Sequence, residues 1–161
     1  MCCDGTLYAR ASSSTEEEVA YRAEGFYFVN LADQVYFTLP CTKLCGTVCS
    51  IYGNRPQVCG TFRCALLRNV EEKTTDLAAA LDHVAKAKML RDAAVAVAPE
   101  VATTALREAA RNRAAEQFAS ADPEQRAQAA QRLLPIIALD EYLAHWFRLK
   151  KDQPASSGSN D

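Results

Sequence analysis

Between residues 40 and 64 the chain reads PCTKLCGTVCSIYGNRPQVCGTFRC, with its cysteines separated by three, three, nine and four intervening residues. Two more cysteines, Cys2 and Cys3, stand side by side near the start. Thiolates on loop positions are the donors that zinc and iron–sulfur centres take, because the ion lowers the thiol pKa and binds the deprotonated sulfur. Loops can converge four sulfurs on a tetrahedron, and the bound metal then supplies order that so long a loop otherwise lacks. Termini fray unless something holds them. The Cys2-Cys3 pair is therefore expected to be held by sulfurs that come forty to sixty residues later. The competing readings are buried free thiols acting as small hydrophobes and, for the opening pair, lipidation.

The residues between the cysteines add a resemblance. In order they are Cys2-Cys3-Asp4-Gly5, Leu39-Pro40-Cys41, Cys49-Ser50-Ile51-Tyr52 and Arg55-Pro56-Gln57-Val58-Cys59. This order resembles the YkgJ-like zinc- or iron-chelating cysteine-cluster (CxxCxxCC) family, whose members carry a paired-cysteine motif and a later C-x-I-Y-x-x-R-P-x-x-C segment. The likeness spans about residues 2–64 and implies a metal set of Cys2, Cys3, Cys41, Cys49, Cys59 and Cys64, with Cys45 additional. The family has a further C-x-x-C just upstream of the pair, so the expectation is either an earlier start or a member lacking two ligands. Some of the wider family's members are associated with flagellin lysine N-methylation, which makes an iron–sulfur-dependent protein-modifying enzyme the alternative to a structural or metal-handling site. No separate cosubstrate motif accompanies it.

Around the cysteines, Pro56 stiffens the turn before Cys59, and Arg55 can donate to thiolates or loop carbonyls while offsetting the negative charge of a thiolate site. His83 and His145 lie in helical text with no second ligand at metal spacing, so they are read as helix packing. The Trp146/Phe147 face is read as core or partner contact. The Cys41-Cys45-Cys49 run has a last gap one residue longer than a radical-SAM triad. Phosphate loops, nucleophile elbows and paired acids do not stand out, so no catalytic residue is assigned.

Charge narrows the partners. Eighteen Lys/Arg against twenty Asp/Glu give a net charge of −2, without the basic excess that nucleic acid or an anionic membrane surface requires. No long apolar run and no secretory pattern is present, which predicts a cytoplasmic protein. Cytosolic thiols stay reduced, so dense cysteines there favour a metal over disulfides, and an odd total of seven agrees.

The elements that must position these thiols come from local signals. All seven cysteines lie before residue 65, and alanine, arginine and glutamate dominate after it. Ser14 with Glu17 forms a capping box that predicts a helix to about Ala23, stopped by Gly25. Phe26–Val29 and Val35–Leu39 read as a hairpin joined by residues 30–34. Residues 41–64 read as loop. Thr75 or Asp76 caps a helix with an apolar stripe of Leu77, Leu81, Val84 and Leu90; Pro99-Glu100 opens the next; and Asp122-Pro123-Glu124 opens a third, in which Pro135 predicts a kink or fresh start. Ile136, Leu139, Leu143, Trp146 and Phe147 recur at helical spacing. The expected class is α+β: a small irregular Cys-rich metal-binding domain with a short helix and hairpin over residues 1–72, an α-helical extension over 73–152 that could also take a protein partner, and a disordered tail over 153–161.

Overall fold

Ser14 starts the first helix as its residue type predicts. Its hydroxyl accepts the Glu17 amide at 3.2 Å, Glu16, Glu17 and Glu18 fill the first turn, and α1 runs Thr15–Ala23. The computed structural model describes residues 1–119 and 122–149, so the tail expected from residue 153 lies outside the described residues. Strand β1 (Arg10–Ser13) precedes α1, and β2 (Phe28–Leu31) and β3 (Gln34–Thr38) come after it. The three strands form an antiparallel sheet in the order β1-β3-β2. The expected hairpin is present with a shorter turn: Ala32 and Asp33, at φ 47° and 63°, join β2 to β3 in the left-handed geometry that suits a two-residue connection. β1 is illegible in its own residue types; pairing with β3, Ala11 opposite Phe37, makes it a strand.

Phe28 and Phe37 face one another across β2 and β3 and bury with Tyr21 and Phe26 in a small aromatic core. Phe26 meets Phe37 edge-on with centroids 5.3 Å apart. The stretch read as loop contains more structure than its glycines suggest. β4 (Leu44–Cys45) pairs with β5 (Val48–Cys49), a 3-10 turn spans Tyr52–Asn54, and α2 covers Gln57–Thr61. Next comes α3 (Ala65–Glu71), capped by Cys64, whose Sγ accepts the Leu67 amide at 3.4 Å.

Three long helices complete the fold. α4 (Leu77–Val97) is capped by Asp76, α5 (Thr104–Phe118) by Thr103 and α6 (Pro123–Trp146) by Asp122. Two expectations change here, and at Pro135 one of the two expected outcomes is excluded. Leu77 and Leu81 are exposed, and the buried line of α4 is Ala80, Ala87 and Ala94. Small side chains at sevenfold spacing let α6 approach closely, which hydrophobicity alone does not reveal. Pro99 opens only a 3-10 turn, Pro99–Val101, and the helix proper begins after Thr103. α6 passes through Pro135 without a fresh start, because Ile136, Leu139 and Leu143 beyond it are locked in the core.

The larger core joins both parts of the chain. Leu7 and Leu66 bury with the α4 alanines, Val101, Ile136, Leu139, Leu143 and Phe147. Residues 1–8 belong by sequence to the cysteine-bearing half and pack on the helices. Among the described residues, no helix is long and apolar enough to cross a membrane.

Candidate metal centre

Cys2 and Cys3 are positioned by the residues directly after them. Gly5 takes φ +76°, and a Cβ there would stand 3.2 Å from the Thr103 side chain, so glycine meets both the backbone and the space requirement. The Thr104 amide donates to the Gly5 carbonyl at 2.8 Å, and the Thr104 hydroxyl lies 3.0 Å from the carbonyls of Gly5 and Thr6. Arg107, fully buried, gives Nη2 to the Thr6 carbonyl at 2.6 Å. Asp4 turns the chain by accepting the Thr6 amide at 2.9 Å and pairs with Arg91 at 3.2 Å. Burial pushes the Asp4 carboxyl up, but the Thr6 hydrogen bonds, the amino terminus and Arg91 together hold it below the usual carboxylate range.

The downstream thiols are brought to this pair by separate devices. The Cys41 amide donates to the Cys3 carbonyl at 2.7 Å, directly after the cis Leu39–Pro40 bond. Ser50 gives its amide and hydroxyl to the Lys43 carbonyl, which closes the β4–β5 hairpin carrying Cys49. Glu17 accepts the Gln57 amide at 2.6 Å and the Ser13 hydroxyl at 2.9 Å. It therefore ties α1 and β1 to α2, the helix of Cys59. Sequence reasoning gave Glu17 only a capping and helix-dipole role; its long-range contact had no local signal.

Five of the six expected ligands, Cys2, Cys3, Cys41, Cys49 and Cys59, line one cleft of about 750 Å³. Cys64 lies outside its lining and caps α3; Cys45 is exposed and also outside. Burial pushes the Cys59 thiol up to about 12, and charge on Cys3, Cys41 and Cys49 adds to the rise. Cys59 as a residue is exposed, but it lines the cleft, whose walls remove water from the sulfur. Cys2, exposed as a residue but also lining the cleft, rises to about 11, again chiefly through burial of its sulfur, with the amino terminus opposing and Cys64 and Cys3 contributing. Cys41 is raised by burial and by Cys3 and Cys49. Cys3 and Cys49 thus contribute to the rise at both Cys41 and Cys59, and Cys41 contributes to that at Cys59. Among the described residues, no group of three or more His, Cys, Asp or Glu side chains is arranged to hold a metal ion as it stands. Neutral thiols gain nothing from converging, so the donor chemistry fits a metal while the closed geometry is absent.

Arg55 acts on the loop rather than on a sulfur. Its guanidinium lies 3.9 Å from the Tyr52 ring centroid, and Nη1 donates to the Tyr52 carbonyl at 3.2 Å. The histidines stay apart from the cleft: His83 Nδ1 is 2.7 Å from the Tyr142 hydroxyl and the ring stacks on Trp146, which His145 meets edge-on.

No family model, curated protein or solved structure matches the chain. The resemblance to the YkgJ-like family accordingly rests on the cysteine order and the Arg55-Pro56 segment.

Proposed function

We propose that this chain is a zinc- or iron-binding cysteine-cluster protein of the YkgJ-like kind, whose metal is mainly structural or handled as cargo. The observation that carries the reading is the shared cleft. Cys3, Cys41, Cys49 and Cys59 come from three separate stretches of chain and line the same cleft. Four thiolates suit a tetrahedral zinc or iron–sulfur centre. Such a metal would draw these thiolates together and cross-link the amino-terminal segment to the hairpin and α2. Cys2 lines the same cleft and completes a fivefold set of donors there.

Elemental analysis and absorption spectra of anaerobically purified protein test this. One colourless zinc per chain supports a structural site, and a brown protein with iron and sulfide supports a cluster. Metal-free protein from both aerobic and anaerobic preparation, with every thiol titratable and the fold intact, would reject the reading.

A further inference from the structure

The cleft that the thiols line also carries a second chemistry. Its lining includes Arg10, Arg55, Arg63 and Arg68 and no aspartate or glutamate. In a chain with more acidic than basic residues, such an accumulation of one sign is not a sample of the average surface. Arg63 is matched, with Nε 3.0 Å from Glu71. The other three have no carboxylate partner among the described residues: Arg55 is held against Tyr52, Arg10 lies over the Tyr36 ring with 5.3 Å to its centroid, and Arg68 forms no side-chain ion pair. A divalent ion with four thiolates carries about −2 charge, and three guanidinium groups without a carboxylate partner exceed what is needed to balance it, with Glu17 near Cys59 as the opposing charge.

Size and walls narrow what could neutralise that charge. About 750 Å³ falls in the range of small-molecule sites, roughly 300–1,000 Å³. A metal ion occupies only a small fraction of it. Tyr8 and Phe62, packed edge-to-face at 5.5 Å, add aromatic surface beside the arginines. Guanidinium groups present paired donors to carboxylate or phosphate oxygens, and aromatic edges accept a flat apolar body.

We propose that the arginines lining this cleft bind an organic anion, a carboxylate or phosphate carrying a ring-sized apolar group, in the space they share with the thiols. The site rests on the metal reading only in sharing its cleft. It should therefore bind anion in both metal-loaded and metal-stripped protein, and elemental analysis run alongside reports the metal separately.

Isothermal titration with phenyl phosphate, benzoate and the neutral benzyl alcohol tests it. Saturable binding of either anion is expected, weakening as salt rises and weakened about tenfold in the R10Q/R68Q double variant, whose two residues are exposed. Binding of one anion and not the other identifies the head group. Benzyl alcohol should not saturate. No saturable binding of either anion in either form would overturn the proposal. So would an unchanged affinity in a folded double variant, or a double variant that loses metal while keeping its anion affinity. If that variant does not fold, the salt dependence of the unaltered protein and the benzyl alcohol comparison decide, and salt-independent binding overturns the proposal.

Discussion

Arg107 and Asp140 form a buried ion pair between α5 and α6, Nε to Oδ1 at 2.8 Å, with no solvent reaching the arginine. The same guanidinium holds the Thr6 carbonyl, so the pair links the helical extension to the segment that carries Cys2 and Cys3. Removing one charge from a buried pair leaves the other uncompensated, and D140A should cost about 3–5 kcal/mol by denaturant unfolding. R107M should cost less, because Asp140 keeps Arg111 at 3.1 Å. Hydrogen exchange in residues 1–8 should accelerate in both variants; an equally protected segment would show that the pair does not hold it.

Gly5 is the second restraint on the cysteine pair. G5A places a Cβ in a left-handed backbone and against Thr103, and should destabilise by about 1–3 kcal/mol. Lower metal content at equal protein concentration should accompany the lower melting temperature. G25A makes a useful comparison, since that glycine also has positive φ but no neighbour within 4 Å.

The cysteines separate by position. C59S should lose bound metal and melt at lower temperature, whereas C45S, altered at an exposed thiol outside the cleft, should keep both. Stripping metal with a chelator should lower the melting temperature of the unaltered protein and of C45S, and leave that of C59S unchanged.

Metal-free protein should lose stability in alkali. Burial raises Cys2 from 9.0 to about 11 and Cys59 from 9.0 to about 12 in the folded state. The unfolded chain releases these protons near its ordinary thiol pKa while the folded chain retains them, so their contribution is complete below pH 9 and declines as pH rises through the folded values. Denaturant midpoints measured from pH 8 upward should fall, and C59S should flatten that slope.

The alanine line of α4 makes an opposite prediction from its leucines. A87L should overpack the contact with α6 and cost about 1–3 kcal/mol. L77A and L81A, at exposed positions, should stay within about 0.5 kcal/mol of the parent. Thermal melts of the three variants check the pattern.

Local events were legible in the residue types alone: the Ser14, Asp76 and Asp122 caps, the β2–β3 hairpin, the α6 core stripe and the α+β class. Each depends on residues a few positions apart, where hydrogen bonding and side-chain period act directly. The cysteine order was equally plain: of the six thiols it named, five share the cleft and Cys64 caps α3 instead. Tertiary contacts were needed to make β1 a strand, to turn Ala80, Ala87 and Ala94 rather than Leu77 and Leu81 toward the core, and to anchor the helix of Cys59 on Glu17. They also set four arginines on the cleft that the thiols line and fastened the amino-terminal segment through Arg107. These depend on partners far apart in the chain, and a residue's own type does not say which distant backbone it will meet.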